Sequence, residues 1–220
     1  MASFFNLTLD TLAPSGLAIH LNDDAEYTTS STVTLTLSVD DGTTAGYQMK
    51  IWGINTAEEE GDASWETYTT TKSITLIAGD GQKTVYVKVR DDVGNETSEV
   101  SDTIILDTKV PSVSITGPDK SKISKIATFN ESRFSFTCDV EFEEYKVCVV
   151  PQTSSTQDAG QIIPITAGST NTSGSDGGYE PSTPIQVVIN GADLETASGG
   201  DGVKIIKVFV RNAAGTWSVA

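Results

Sequence analysis

The chain has 220 residues, and its 14 Lys and Arg against 30 Asp and Glu give a formal net charge of −16. Phosphate binding depends on clustered positive charge, so this balance argues against a nucleic-acid partner. The first ten residues contain neither a basic region nor a long apolar run, and no stretch of the chain is apolar enough to span a bilayer. We therefore expect no signal peptide and no membrane partner.

The chain begins with an alternating segment. Phe5, Leu7 and Leu9 are separated by polar residues, which predicts a strand over residues 3–9. The next five residues, DTLAP at 10–14, match DTKVP at 107–111. Residues 1–10 are thus predicted to form an N-terminal arm. Its sequence corresponds to the end of the segment that precedes residue 111.

Residues 11–107 contain a series of short alternating segments separated by Gly and Asp. Such segments predict the strands of a two-sheet sandwich. The predicted strands lie near residues 16–21, 32–39, 47–53, 72–77, 82–90 and 98–106. A polar loop over residues 55–71 is predicted to lie on the surface.

One stretch of this first domain occurs twice. DGQKTVYVKVRDDVG at 80–94 returns without a gap as DGVKIIKVFVRNAAG at 201–215. Apolar residues alternate with polar ones in both copies, as in a half-buried strand, and Asp-Gly and Gly-containing turns flank them. Two copies predict two related domains, each long enough to form its own core.

The first copy continues with a final strand and then LDTKVP at 106–111. A strand ending in VxVRDxxGN, followed by a last strand and LDTxxP, resembles the tandem bacterial immunoglobulin-like repeats of tailed-phage virion proteins and surface adhesins. Residues 10–107 fit the pattern throughout, whereas residues 107–220 fit it at both ends. The resemblance implies an all-β fold of two tandem immunoglobulin-like sandwiches and is specific for fold more than for function.

The second domain, residues 108–220, is predicted to have strands near 112–116, 132–140, 144–150, 184–189 and 202–211. It contains an insertion over residues 152–183 that is rich in Ser, Thr, Gly and Asp. An apolar stretch at 162–165 includes a proline, which predicts an extra edge strand there. Too few residues follow Gly215 to repeat the strand that follows Gly94, so we expect this domain to be one strand short.

Two cysteines lie on neighbouring predicted strands. Cys138 falls on the inward face, and alignment of residues 145–149 with 47–51 places Cys148 at the outward position of Lys50. Side chains on opposite faces do not meet disulfide geometry. We therefore predict two free thiols, as expected in a reducing compartment.

Residues for catalysis or zinc binding are scarce. His20 is the sole histidine of the sequence, and there is no cysteine cluster. A zinc site or a nucleophile–base triad needs more such residues, so we expect no enzyme. The acidic composition is interpreted mainly as a source of solubility. Calcium is the alternative, because it prefers oxygen ligands. Its candidate ligands are Asp10, Asp91, Asp92, Asp107 and the acidic loop at 58–62.

Several aromatic side chains lie outside the predicted core. They are Trp52, Trp65, Tyr86 and Phe209. One hypothesis is a stacking platform for a host or cell-wall glycan. The other is burial by packing, because Cys148, Val150 and Phe209 would make one outer face too apolar for water. The insertion or a partner should cover that face, and we favour packing over glycan binding.

The resemblance and the absence of a signal sequence predict a non-enzymatic structural component of a bacteriophage virion, on the tail or decorating the capsid, assembled in the bacterial cytoplasm. Its predicted partners are other copies of itself and other virion proteins. Two alternatives are a carbohydrate-binding module for host cell wall or mucus, and a fragment of a bacterial adhesin at the cell surface.

The surplus strand and the missing strand suggest strand donation. Phe5, Leu7 and Leu9 of one subunit would insert beside residues 203–211 of the next, with Val208 and Val210 in the interface. Because an uncovered strand edge promotes aggregation, a partner is expected there.

Overall fold

The computed structural model describes residues 5–150 and 154–219. The chain divides into two compact units, Met1–Thr108 and Lys109–Ala220. Strands dominate both units, so the predicted all-β class is confirmed. Among the described residues, no helix has the length and hydropathy that a membrane span requires.

Unit 1 is a sandwich of a three-stranded and a five-stranded sheet, with sheet orders β1-β3-β6 and β2-β8-β7-β4-β5. Only the short β2–β8 pair is parallel among the described pairings. A short 3-10 helix covers Glu60–Asp62. The strands are β1 (Ala18–Leu21), β2 (Tyr27–Thr28), β3 (Thr32–Ser38), β4 (Gln48–Trp52), β5 (Glu66–Thr67), β6 (Thr71–Thr75), β7 (Gly81–Arg90) and β8 (Val100–Leu106).

The core of unit 1 follows from the alternating pattern. Alternate residues of a strand point to opposite faces, so every second side chain of β3 and β7 enters the space between the sheets. The buried side chains of these two strands are Val33, Leu35, Leu37, Val85, Val87 and Val89. The last strand, β8, adds Ile104 and Leu106, which are 1% and 2% exposed. The predicted strands of this unit are therefore present, each within a few residues.

Unit 2 has a three-stranded sheet in the order β14-β10-β9 and a second sheet in which β11 pairs with β12, β13 and β15. Its elements are β9 (Val113–Thr116), β10 (Glu131–Cys138), β11 (Glu144–Val150), β12 (Gln161–Ile162), β13 (Ser173–Gly174), β14 (Ile185–Asn190), α1 (Gly191–Ser198) and β15 (Ile205–Arg211). The core lies between the two sheets and contains Phe134, Phe136, Val147 and Val210.

Helix α1 was not predicted from the sequence. The Asn190 side chain accepts a hydrogen bond from the Ala192 N–H and caps the start of the helix. Gly199, with φ of 62°, follows its end. Eight residues with few apolar positions are too short to show a helical period, which explains why the pattern was missed.

The insertion contains the predicted edge strand. Gln161 and Ile162 pair with Val149 and Cys148 of β11, and Ile163 is fully buried. The edge-strand prediction is therefore confirmed for the described part of the insertion, while residues 152 and 153 lie outside the described residues. Close packing of the insertion on the sheet is visible at Gly160, where a Cβ atom would lie 2.4 Å from Cγ1 of Val150.

The repeated sequence forms the same structure twice. In unit 1 the Thr97 N–H donates to the Val89 carbonyl, and the Thr97 hydroxyl accepts from the Val89 N–H. In unit 2 Ser218 makes the same two bonds with Val210. The repeat therefore extends three residues beyond the matching sequence.

The pairing of the repeated strands corrects one alignment. Arg90 of β7 lies opposite Gln48, and its counterpart Arg211 lies opposite Glu144. Cys148 thus occupies the position of Trp52, and the sequence alignment with Lys50 was wrong by two residues. An even shift keeps the same face of the strand, so the predicted outward direction of Cys148 still holds.

Both thiols are free, as predicted. Cys138 is 2% exposed and lies in the core between the sheets, whereas Cys148 belongs to a separate cluster with Val150 and Phe209. Burial raises the pKa of both thiols. Each therefore behaves as a small apolar side chain.

We expect Cys138→Ser to lower the free energy of unfolding by about 1–3 kcal/mol, because a hydroxyl in this core needs a hydrogen-bond partner. Equilibrium unfolding in urea would measure the change. Ser114→Ala, at an exposed position of the adjacent strand β9, serves as the control. An unchanged urea midpoint in Cys138→Ser would contradict the burial of this residue.

Candidate protein-contact site

The outer face of the five-stranded sheet in unit 1 is covered by its own side chains. Trp52 does lie on this face, as strand parity predicted, but it is only 5% exposed. Its ring stacks on Tyr86 with the centroids 5.5 Å apart and the planes 9° from parallel. The Lys88 Nζ lies 5.8 Å from the centroid of the Trp52 ring. Trp52 is therefore a packing residue, and the expectation that its ring offers a stacking surface is corrected.

Trp65 is partly buried beside the same face. The Arg90 guanidinium lies 4.4 Å, and the Lys50 Nζ 5.6 Å, from the centroid of its ring. The Glu60 carboxylate is 2.8 Å from the Lys88 Nζ and 3.7 Å from that of Lys50. The hydrogen bond from Lys88 lowers the pKa of Glu60. The side chains that would have formed a glycan platform thus already make cation–π contacts and ion pairs with one another.

The apolar outer face of unit 2 is covered in a different way. Phe209 is fully buried with Cys148 and Val150, and Gly160 of the insertion lies against Val150 and Cys148. Trp217 and Ile205 also pack against this cluster, with the Lys146 Nζ 4.4 Å from the centroid of the Trp217 ring. The prediction that the insertion or a partner covers this face is therefore confirmed in part, for the insertion at Val150 and Cys148. The prediction that Phe209 is an accessible contact residue is corrected, because its side chain has no exposed surface.

One of the acidic residues proposed for calcium, Asp91, has a structural role. The Asp91 carboxylate accepts hydrogen bonds from the N–H groups of Val93 and Asn95 and from the Asn95 side chain. Burial raises the pKa of Asp91, but the hydrogen bonds from Asn95 and Val93 outweigh it and keep the pKa below its usual value. The described residues contain no group of three or more His, Cys, Asp or Glu side chains arranged to hold a metal ion.

Unit 2 has an open apolar groove with a volume of about 770 Å³. Core residues of the sandwich form its floor, so the groove leads into the space between the sheets. Its lining comes from β9, the connection over residues 117–123, β10, β14 and α1, together with Gly202, Val203, Lys204 and Ile206. The residues that define it are Ile115, Phe134, Ile189, Leu194, Gly202 and Ile206.

The corresponding space in unit 1 is filled by β8. In the repeat, Gly81 and Lys83 correspond to Gly202 and Lys204. Leu106 lies opposite Gly81, and Ile104 lies opposite Lys83. Within the described part of unit 2, β15 pairs with β11 and makes one further bridge, Arg211–Trp217, so no strand takes the place of β8.

The residues around the groove show the effect of the missing strand. Residues 81–83 belong to strand β7, whereas their counterparts 202–204 are outside β15. Val203 is 93% exposed. On the opposite edge of the groove, Ile115 of β9 is 46% exposed. In unit 1, by contrast, Leu21 of β1 lies beside β8 and is fully buried. The groove is therefore an unfilled part of the sandwich core.

Val208 and Val210 lie beyond this open stretch. Both side chains are buried in the core of their own unit, and the main chain of Val210 already bonds to Ser218. The open stretch is residues 202–206, which shifts the predicted contact region away from these two valines.

The N-terminal arm is apolar and uncovered. Phe5, Leu7 and Leu9 are 85%, 85% and 87% exposed, and Leu12 is 79% exposed. The predicted strand is not formed over residues 5–9 of the single chain, and residues 3 and 4 lie outside the described residues. Strand structure needs a partner for its main-chain groups, and the described chain supplies none to this segment.

Asp193 of α1 is a structural residue that the sequence analysis missed. It is fully buried, and its carboxylate accepts hydrogen bonds from the Thr166 hydroxyl and the N–H groups of Ala167 and Ser169, at 2.7, 2.8 and 2.9 Å. These bonds attach the insertion to the helix. A single aspartate in an unrecognised helix gave no sequence signal.

No protein-family model matches the chain, and no curated protein matches its sequence. Solved structures with a similar fold include fibronectin(III)-like modules of Clostridium thermocellum CbhA, with 13% identity and a TM-score of 0.44 over 91% of this chain and 89% of that one. A domain of intimin matches with 13% identity and a TM-score of 0.32, over 92% of this chain and 98% of the other.

Carbohydrate-binding modules of the β-sandwich superfamily match with 14% identity and a TM-score of 0.35, over 95% of this chain and 99% of theirs. At these identities and TM-scores the likeness carries no functional argument.

Proposed function

We propose that this chain is a non-enzymatic structural component of a bacteriophage virion, tail-associated or capsid-decorating, that acts through protein–protein contacts. One observation carries the proposal: apolar side chains are exposed in the arm, and an apolar groove is open in unit 2. Uncovered apolar surface of this kind is typical of a contact site on a soluble protein. The resemblance to immunoglobulin-like repeats of virion proteins supports the location.

The other functions have less support from the side-chain arrangement. A glycan platform needs accessible aromatic rings, whereas Trp52 and Phe209 are buried and Trp65 lies against Arg90. A function as a surface adhesin shares the fold but predicts a location in the cell envelope.

Fractionation of a culture that produces the protein tests the location. Particles would be purified on a density gradient and their proteins identified by mass spectrometry. We expect peptides from both units to band with DNA-filled particles and to stay bound through a second gradient. Recovery of the protein only in the envelope fraction would overturn the proposal in favour of the adhesin alternative.

A glycan array provides the second test. We expect no specific binding by the intact chain. Binding that is lost in Trp65→Ala, a variant of the most accessible Trp on the outer face of unit 1, would support the carbohydrate-binding alternative instead.

A further inference from the structure

The arm aligns in sequence with β8, the strand that fills the corresponding space in unit 1. Aligning DTLAP at 10–14 with DTKVP at 107–111 places Leu9 at the position of Leu106 and Leu7 at the position of Ile104. In β8 these two positions are 2% and 1% exposed, whereas in the arm they are 87% and 85% exposed. The arm therefore carries the apolar pattern of a buried strand without the burial.

The repeat also gives the register. Leu106 pairs with Gly81, Ile104 with Lys83 and Asp102 with Val85. Transferred to unit 2, these pairs place Leu9 opposite Gly202, Leu7 opposite Lys204 and Phe5 opposite Ile206. All three unit 2 residues line the groove.

A hydrogen-bonded pair at the end of β8 has its counterpart in the same alignment. The Asp80 carboxylate accepts from the Thr108 N–H at 3.1 Å and from the Thr108 hydroxyl at 2.8 Å. Asp80 corresponds to Asp201, and Thr108 corresponds to Thr11 of the arm. The arm and unit 2 thus repeat the apolar positions of β8 and one pair of residues that is hydrogen-bonded in unit 1.

We infer that the arm of a second copy of this chain inserts antiparallel to residues 202–206 of unit 2, in the place that β8 takes in unit 1. The order of elements along the chain indicates that the arm comes from a second copy. In this chain β8 leads through DTKVP into unit 2, and an inserted arm would lead through DTLAP into unit 1 of its own chain. The junction between two copies would then repeat the junction within one copy.

Such donation adds main-chain hydrogen bonds along an open strand edge and buries the exposed arm. Because each copy donates one arm and accepts another, the contact is head-to-tail and produces either a ring or a filament. The inference deepens the proposed function by naming a partner, and it depends on the arm and the groove rather than on the location in a virion.

Self-association of the full chain tests the arm. Sedimentation velocity over a range of concentrations should show oligomers for the unmodified chain. The double variant Leu7→Ser with Leu9→Ser should weaken association at least about 100-fold, because it removes the two apolar side chains that would be buried in the groove. The matched control is Asn6→Ser with Thr8→Ser, which makes the same replacement on the alternate face and should associate normally.

Disulfide trapping tests the register and the partner. Two singly substituted chains, Leu7→Cys and Lys204→Cys, would be mixed and oxidised, because directly opposed strand residues are close enough for a disulfide. A covalent dimer is expected between the two chains. Thr8→Cys, whose side chain points to the other face, should give little product with Lys204→Cys. Cys138 and Cys148 are buried and remain in every chain.

A chain that stays monomeric at all concentrations, or equal trapping by Thr8→Cys and Leu7→Cys, would overturn the inference. So would a doubly substituted chain, Leu7→Cys with Lys204→Cys, that forms its disulfide within one monomer even when concentrated. None of these results would affect the particle fractionation, so failure of strand donation and failure of the virion location are distinguishable.

Discussion

Replacing Asp193 with alanine is expected to lower the free energy of unfolding of unit 2 by about 2–4 kcal/mol, since three hydrogen bonds to a fully buried carboxylate are lost. The donors are the Thr166 hydroxyl and the N–H groups of Ala167 and Ser169. Hydrogen exchange measured by mass spectrometry should show faster exchange over residues 161–170 and over α1. Exchange in unit 1 should be unchanged, because it has its own core.

A change at an exposed position of the same helix provides the control. Glu195 forms an ion pair with Lys125 at 2.8 Å, and both side chains are about half exposed. Glu195→Gln should change stability by less than about 1 kcal/mol, as is usual for a surface pair. Equal losses in both variants would mean that Asp193 does not anchor the insertion.

The Asp193 carboxylate also makes the stability of unit 2 depend on pH. Burial raises the pKa of Asp193, but hydrogen bonds from Thr166, Ser169 and Ala167 outweigh it and hold the pKa below its usual value. Because the folded-state pKa is lowered, the stabilisation is complete above about pH 4 and is lost as the pH falls through the folded-state pKa. The difference in the free energy of unfolding between the unmodified chain and Asp193→Ala should therefore be smaller at pH 3 than at pH 7.

Phe209→Ala is expected to destabilise unit 2 by about 3–5 kcal/mol, because it leaves a cavity in a fully buried cluster. Phe209 has no exposed surface and packs with Cys148 and Val150, and Trp217 packs against this cluster. Urea unfolding followed by circular dichroism would measure the loss. Phe129→Ala, which removes the same side chain from a position that is 67% exposed, should have little effect.

The stability of Phe209→Ala also shows whether Phe209 is a packing residue or a recognition residue. If Phe209 were an accessible contact for a glycan or another protein, its replacement would abolish binding and leave the unfolding midpoint unchanged. A stable Phe209→Ala variant would therefore contradict the burial of Phe209.

Local sequence pattern was enough to predict the longer strands, the repeat and the face on which their residues lie. Alternation in 85–89 and 206–210 follows from the two-residue period of a strand, which is a local property. The free thiols were predicted for the same reason, since an alignment error of two residues does not change the face. The edge strand at Ile162 was predictable because a proline and a short apolar run sit in a polar insertion.

What covers each face depends on packing between distant segments. Strand parity placed Trp52 and Phe209 outward, but Tyr86 stacks on Trp52, and Trp217 packs against the cluster that contains Phe209. Asp193 and its helix were invisible because their partners lie 24–27 residues away in a loop. The groove has the same origin: local pattern assigns a side chain to a face, whereas burial depends on which distant segment packs there, and in unit 2 the described chain supplies no such segment.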